Sequence, residues 1–177
     1  MVLRTLCLLT LLFIISCENN VIKTYKTPKE QLPLVQFSKE TTKKLTWTIP
    51  THWEPTPLGQ FRKASYNIPL AEHVFGDFSI TVFPGKSGSL LNNVNRWRNQ
   101  LALDPTTEAE LSNEITVLQV ADISVNVLFL ENNAQSIYVA TFTFNNEQYF
   151  FKLTGQADLL LDVKNAFIGV INGITVE

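Results

Sequence analysis

Two histidines are the side chains of this sequence best suited to metal or acid–base chemistry, because imidazole titrates near neutral pH and binds transition metals. His52 and His73 fall in different predicted loops, and Glu72 and Asp77 flank the second. A zinc site usually takes three or four ligands, and the sequence contains neither a His-x-x-x-His pair nor a pair of cysteines at ligand spacing. We therefore predict that the chain has no metal site and no cofactor.

A short glycine-containing run invites comparison with a phosphate-binding loop. Gly85, Lys86 and Ser87 precede a predicted helix, and a lysine beside free helix-start amides suits an anion. A P-loop requires another glycine five positions earlier, where Ile80 stands inside a predicted strand. The run also lacks the Gly-x-Ser-x-Gly spacing of a nucleophile elbow. A strand-to-helix turn is the favoured interpretation, a weak anion contact stays open, and we predict that the chain is not an enzyme.

An arginine pair on the same predicted helix is the candidate contact surface. Arg96 and Arg98 stand among asparagines, including Asn95, and they flank Trp97. Because arginine and tryptophan are enriched in binding hot spots, Arg96, Arg98 and Asn95 are candidate contacts for a protein partner. The alternative is that Trp97 packs in the core between solvated polar residues, and the helical period of the apolar positions favours this alternative.

The N-terminal segment has the features of an export signal. Arg4 gives a positive start, positions 6–15 are apolar except for one threonine, and Ser16 is a small residue before Cys17. About 20 apolar residues are needed to span a bilayer, so this run is too short for a transmembrane helix. The sequence Ile-Ile-Ser-Cys at 14–17 resembles a bacterial lipobox.

The lipobox resemblance implies removal of residues 1–16 and attachment of lipid to Cys17. Two or three acyl chains make attachment effectively permanent, because each buried CH₂ contributes roughly 0.8 kcal/mol. The other cysteine, Cys7, lies in the removed segment, so the mature chain has no internal disulfide. Glu18 differs from the aspartate associated with inner-membrane retention, which favours the outer membrane, facing the periplasm.

The charges divide the mature chain into two parts. Residues 18–44 hold six lysines and three glutamates, and they show no sustained helical or strand period. We interpret 17–44 as the lipidated cysteine and a flexible basic tether, with contact between its lysines and anionic headgroups left open. Residues 45–177 form one predicted domain that is acidic, which argues against a nucleic-acid partner.

The hydrophobic periods predict an α+β domain with a mainly antiparallel sheet flanked by helices. Asn-Asn pairs at 132–133 and 145–146 are typical of tight hairpins, and an apolar stripe before Gly173 indicates a closing helix. The predicted strands are 45–49, 61–68, 77–83, 114–120, 123–131, 136–144 and 147–153, and the predicted helices are 90–101, 107–112 and 157–172.

Two motifs at the ends of the domain resemble the Mog1/PsbP-like family. One is the Pro-x-x-Trp turn from Pro50 to Trp53, and the other is the strand, Thr-Gly step and Lys-x-x-Phe helix formed by 149–155 and 164–167. The resemblance implies an α/β/α sandwich. It also implies a function without catalysis, because the family includes proteins that are not enzymes.

Together these features predict a lipid-anchored envelope protein that acts as a binding or accessory module for another envelope protein. The alternative is a small-molecule carrier or sensor that uses a cleft between sheet and helix. A hydrolase is the third and least favoured hypothesis, because no nucleophile has an evident base.

Overall fold

A computed structural model of the protein describes residues 43–177. The predicted signal segment, Cys17 and almost all of the predicted tether lie outside these residues. Within them the chain forms, in order, β1 (Leu45–Thr46), β2 (Glu54–Pro55), β3 (Arg62–Ala71), β4 (Val74–Pro84), α1 (Leu90–Gln100), α2 (Glu108–Glu114), β5 (Thr116–Val120), β6 (Ile123–Glu131), β7 (Gln135–Phe144), β8 (Glu147–Gln156), α3 (Ala157–Asn172) and β9 (Thr175–Val176).

Seven strands form one antiparallel sheet in the order β2-β3-β4-β8-β7-β6-β5. The strands β1 and β9 form a separate two-stranded ribbon, in which Leu45 lies opposite Val176. Each long strand is joined to the next by a hairpin, except where α1 and α2 or α3 intervene. The α+β fold class predicted from the sequence is therefore confirmed.

The strand β7 is buried on both of its faces, which places it inside the sandwich. Every residue from 136 to 141 is buried. Since successive side chains of a strand point to opposite faces, Ile137 and Val139 enter one core, and Tyr138 and Ala140 enter the other. Helices must therefore cover both faces of the sheet around this strand.

The helix α3 covers one face with its apolar stripe. Leu160, Phe167 and Ile171 are fully buried against the sheet. Phe78 of β4 lies at the centre of this core, with its ring centroid 6.3 Å from that of Phe167. The helix ends at Gly173, as predicted.

The helices α1 and α2 cover the opposite face. Ser89 caps α1 by accepting a hydrogen bond from the Asn92 amide, and Trp97 is buried in the core below the helix. The predicted capping box of α2 is confirmed, because Thr107 and Glu110 exchange side-chain and main-chain hydrogen bonds. Trp97 is therefore a core residue.

Several element ends differ from the predicted ones. The first strand stops at Thr46 instead of residue 49, because Trp47 turns to pack its ring edge-on against Phe151. The β3–β4 hairpin is longer than predicted, and its tip contains His73 in the left-handed region at φ 59°. The two-residue strands β2 and β9 are too short to leave a periodic pattern.

No helix within residues 43–177 has the length and hydropathy needed to cross a bilayer.

Candidate binding cleft

The sheet divides into two hairpins at one end, and this division creates a large cavity. The strands β6 and β7 pair from Glu131–Ser136 as far as Asn126–Thr141. Beyond that point, residues 123–125 of β6 pair with β5, and residues 142–144 of β7 pair with β8. Within residues 43–177, the facing edges of these two segments therefore have no strand partner.

Tight turns hold each hairpin on its own side of the division. Ala121 and Asp122 join β5 to β6 with φ values of 47° and 63°, and Asn145 and Asn146 join β7 to β8 with 48° and 59°. Positive φ at both central residues is the geometry of a type I′ turn, whose twist matches that of the strands. The hairpin predicted from Asn145 and Asn146 is confirmed, whereas nothing in the residue types indicated the other turn.

A cavity of about 1030 Å³ occupies this division, and we call it the forked cleft. Its two walls are the separated strand segments, 121–126 and 141–145. The beginning of α1, with Leu90 and Asn93, borders it on one side of the sheet. Lys43 and the chain end 175–177 border it on the other side. The cavity is a gap between two strands, with the beginning of a helix at its margin.

Uncharged polar side chains form much of the cleft surface. They are Ser124, Asn126, Thr141, Thr143 and Gln148, while the charged residues that line the cavity are Lys43, Asp122 and Glu177. A neutral, hydrogen-bonding surface suits a neutral ligand better than a strongly charged one.

Gln148 fixes the β7 wall of the cleft. Its Nε2 donates to Thr141 Oγ1 at 2.6 Å and to the Phe142 carbonyl at 3.2 Å. Thr143 Oγ1 donates to Gln148 Oε1 at 3.1 Å. These bonds hold the polar surface in one arrangement before any ligand binds.

Asn93 fixes the helical border in the same way. Its side chain is 6% exposed, and its Nδ2 donates to the carbonyls of Ser87 and Ser89 at 2.9 and 3.1 Å. The turn before α1 is therefore tied to the first turns of the helix, and Gly85 and Gly88 take up its left-handed positions.

Tyr149 lies on the opposite face of β8, beside a smaller cavity of about 450 Å³. Its hydroxyl donates to Glu147 Oε2 at 2.9 Å. Burial, this hydrogen bond and the negative charge of Glu147 raise the pKa of Tyr149 to about 12.

We expect the Tyr149→Phe variant to remove part of the alkaline sensitivity of the fold. Because the folded pKa lies above the unfolded value of about 10, the wild-type stabilisation is present below pH 10 and is lost between about pH 10 and 12. Denaturant unfolding at pH 9, 10.5 and 12 should show the wild type losing on the order of 2 kcal/mol relative to the variant. Parallel losses in both proteins would contradict this role of the hydroxyl.

Two of the predicted contact residues brace the connection between α1 and α2. The Asn95 side chain donates to the Thr106 carbonyl at 3.0 Å and accepts from its amide at 2.7 Å. Arg98 Nε donates to the Asp104 carbonyl at 2.6 Å, and its Nη1 lies 3.3 Å from Glu114 Oε2. Both side chains therefore have an internal structural role.

Arg96 is the exposed member of the predicted contact set. Its Nη2 donates to Asn93 Oδ1 at 2.7 Å, which links it to the border of the forked cleft. In the described part of the chain, the large apolar side chains that are exposed lie on elements other than α1, at Leu58, Phe61, Phe75, Val117 and Leu161. The role of Arg96, Arg98 and Asn95 in partner contact stays a prediction.

The two histidines lie apart from the cleft. His73 Nε2 is 3.7 Å from Glu72 Oε1, and both side chains are 92% exposed. His52 packs edge-on against Trp53, with 6.5 Å between the ring centroids. Within residues 43–177, no three His, Cys, Asp or Glu side chains come together as metal ligands.

Asn145 is the one polar residue of the forked cleft that sequence reasoning singled out, and it was predicted only as a hairpin residue. Ser124 and Thr143 have exposed, alternating positions that any solvent-facing strand shows. The relevant signal is the strand register, which depends on long-range pairing.

No family model matches the chain, and no curated protein matches it in sequence. A solved structure of LpqN from Mycobacterium tuberculosis, described as involved in cell envelope biogenesis, is 10% identical, with a TM-score of 0.50 over 79% of this chain and 87% of that one. A Bacteroides thetaiotaomicron protein is 14% identical, with a TM-score of 0.47 over 77% of this chain, which spans 48% of that protein. The PsbP protein of the cyanobacterium Synechocystis is 12% identical, with a TM-score of 0.49 over 77% of this chain and 93% of that one. The similarity to LpqN indicates a shared fold.

Proposed function

We propose that the chain is a lipid-anchored protein of the cell envelope whose domain binds an extended segment of another envelope protein in the forked cleft, without catalysis. The observation that carries this proposal is the loss of strand pairing between 123–125 and 142–144. Two strand edges that face each other across a cavity are suited to an inserted strand.

Main-chain hydrogen bonding supplies the attraction. Peptide N–H and C=O groups are strong donors and acceptors, and a strand edge without a neighbour leaves every second residue unpaired in the sheet. An extended peptide placed between the two edges would pair with both, as peptides do in β-strand addition. The cleft thus offers two short edges, of three residues each, for pairing with one segment.

Side chains on the two faces supply selectivity. Successive residues of an inserted strand would alternate between the side of α1 and the side of β9. On the first side they would meet Thr141, Thr143 and Gln148, and on the second Phe142 and Phe144. A segment that alternates polar and apolar residues fits this environment.

A small neutral molecule with several hydroxyl or amide groups is the second candidate ligand. The fixed hydrogen-bonding surface around Gln148 favours it, because preformed polar groups orient small ligands at low entropic cost. This is the small-molecule alternative raised by the sequence, now assigned to a defined cavity.

The location of the protein rests on the lipobox resemblance around Cys17. An anchored chain of this kind resides in the envelope, where LpqN, a protein of similar fold, is described as acting in envelope biogenesis. We propose the outer membrane, facing the periplasm, because of the residue at position 18. Residues 18–42 would reach at most about 80 Å when extended, which bounds the distance between partner and membrane.

Photocrosslinking in intact cells tests the site. A photoreactive amino acid at Thr143, inside the cleft, should form a covalent adduct with one polypeptide segment, identified by mass spectrometry. The same amino acid at Thr116, an exposed position on β5 away from the cavity, is the matched control. Equal adducts from both positions would contradict the proposal, and a small-molecule adduct at Thr143 would favour the second candidate.

Backbone methylation then tests strand addition. A synthetic peptide of the crosslinked segment should lose binding when alternate amides are N-methylated in the register that faces a cleft edge. Methylation at every position with no loss of affinity would rule out pairing with the strand edges.

A further inference from the structure

The sheet face beside α1 has an apolar half and a polar half. The helices α1 and α2 pack over β6, β7 and part of β8, where the core includes Val139 and Phe150. On β4, the residues that alternate with buried Phe78 and Ile80 are Asp77, Ser79 and Thr81. The face of β3 and β4 beside α1 is therefore polar.

Lys152 stands in the middle of the sheet at the border between these halves. It belongs to β8, the central strand of the seven, and lies opposite Ser79 on β4 and Val139 on β7. Phe150, two residues earlier, packs beneath α1, so the half-buried Lys152 side chain leaves the same face.

Asp77, the carboxylate on the polar half of this face, already forms an ion pair with Arg62. Arg62 donates from Nη1 and Nη2 to the two oxygens of Asp77, both at 2.9 Å, and Nη1 also donates to Ser65 Oγ at 2.7 Å. Within residues 43–177, the ion pairs are Arg62–Asp77, Arg98–Glu114 and the long His73–Glu72 contact, so Lys152 has no salt-bridge partner there.

Positive charge is concentrated around Lys152. Burial lowers its pKa, the charges of Arg62 and Arg96 lower it further, and Asp77 acts in the opposite direction. Residues 43–177 as a whole carry nine basic and thirteen acidic side chains. Arg96 follows the first turns of α1 and precedes Trp97, whose ring centroid lies 5.9 Å from that of Phe150, two residues before Lys152 on β8. Lys152 therefore lies near two other cations and one carboxylate that Arg62 already binds.

We propose that Lys152, Arg96 and the Ser79 hydroxyl bind a phosphate group on this face of the sheet. A phosphate carries up to two negative charges, which match the ammonium and the guanidinium left without a counter-charge. Its oxygens can accept charge-assisted hydrogen bonds from the ammonium and the guanidinium, and an ordinary hydrogen bond from the hydroxyl. Ser79 is 3% exposed and lies directly opposite Lys152, so it forms the floor of the site.

Calorimetric titration of inorganic phosphate into the full chain in detergent tests the site. We expect saturable binding, weakened about tenfold or more by Lys152→Met, because a bond to a charged group is lost. Lys164→Met is the matched control, since Lys164 lies over the Phe129 ring on the other side of the sheet, 4.0 Å from its centroid. Absence of saturable binding in the wild type, or equal losses in both variants, would overturn the proposal.

Denaturant unfolding separates an effect of Lys152→Met on stability from its effect on phosphate binding. Removing a half-buried ammonium relieves its desolvation cost, so Lys152→Met should unfold at a denaturant concentration no lower than the wild type. Arg96→Gln should also weaken phosphate binding, and because it removes the hydrogen bond to Asn93 Oδ1 its unfolding midpoint should fall slightly while the protein stays folded under the titration conditions. A wild-type affinity in Arg96→Gln would exclude this arginine from the site.

The phosphate has two sources, a lipid headgroup or a soluble molecule. Full-length Cys17→Ser protein should sediment with phosphatidylglycerol vesicles, and not with phosphatidylcholine vesicles, when the source is an anionic headgroup. Lys152→Met should abolish that sedimentation. Binding of inorganic phosphate without vesicle binding assigns the site to a soluble ligand. Neither result depends on the forked cleft, so failure here leaves the proposed function untouched.

Discussion

Replacing Cys17 with serine is expected to move the protein from the membrane fraction to the soluble fraction. The lipobox resemblance implies that the thiol of Cys17 accepts the lipid, and two or three acyl chains would make attachment effectively permanent. Fractionation of cells by ultracentrifugation, followed by immunoblotting, measures the distribution directly. The expected change is nearly complete, because the lipid on Cys17 is the membrane attachment that the lipobox resemblance implies.

Cys7→Ser is the matched control for this experiment. It removes the only other thiol of the chain, and it lies in the segment that cleavage discards. Its product should remain in the membrane fraction. A Cys17→Ser protein that still sediments with membranes after a high-salt wash, which removes electrostatic contacts with headgroups, would refute the lipid anchor. The circular dichroism of the released protein would show whether the domain is folded.

Replacing Phe78 with alanine is expected to lower the free energy of unfolding by about 3–5 kcal/mol, as large-to-small changes of buried aromatics do. The ring is fully buried, and its centroid lies 4.9 Å from that of Trp53 and 6.3 Å from those of Phe151 and Phe167. It thus joins the β2 region, the centre of the sheet and α3. Denaturant unfolding followed by tryptophan fluorescence measures the loss.

Phe75→Ala is the control on the same strand. This ring is 48% exposed, so its removal should change the unfolding free energy by less than about 1 kcal/mol. Similar losses in the two variants would mean that the core does not depend on Phe78.

The helices and long strands were predictable because burial imposes a period on the sequence. Trp97 and Phe167 fall on helical stripes that the packing confirms, and Thr107 with Glu110 forms the expected capping box. Asn145 marks its hairpin through a residue type that tolerates positive φ.

The forked cleft was not predictable, because its cause is pairing between segments. Residue types do not show that β6 and β7 separate beyond Asn126 and Thr141. Ala121 is unusual in its turn, since an alanine rarely adopts φ 47°, although the predicted strands on either side already left 121–122 as their connection. Its strain is balanced by the antiparallel pairing of the two strands.

The grouping of Arg62, Asp77 and Lys152 also depends on pairing between distant segments, which residue types do not show. Arg62 and Asp77 are adjacent because β3 and β4 pair, and Lys152 joins them because β8 inserts next to β4. The sequence marked Arg96 as a candidate contact for a protein partner, which stays a prediction, and it did not single out Lys152 on the sheet.

The β1–β9 ribbon has a mechanical consequence for an anchored protein. Lys44 and Glu177 exchange two main-chain hydrogen bonds of 2.8 Å at the end of the ribbon where the chain enters. Tension applied through Lys43 pulls β1 at this end, whereas the domain holds β9 at the opposite end, Thr175, through α3. The backbone pairs of the ribbon therefore resist a pull along the strands together. The seven-stranded sheet contains neither strand, so the ribbon can open without the loss of a hydrogen bond from the sheet. Release of residues 44–46 would then add about 10 Å to the chain between membrane and domain in an anchored protein.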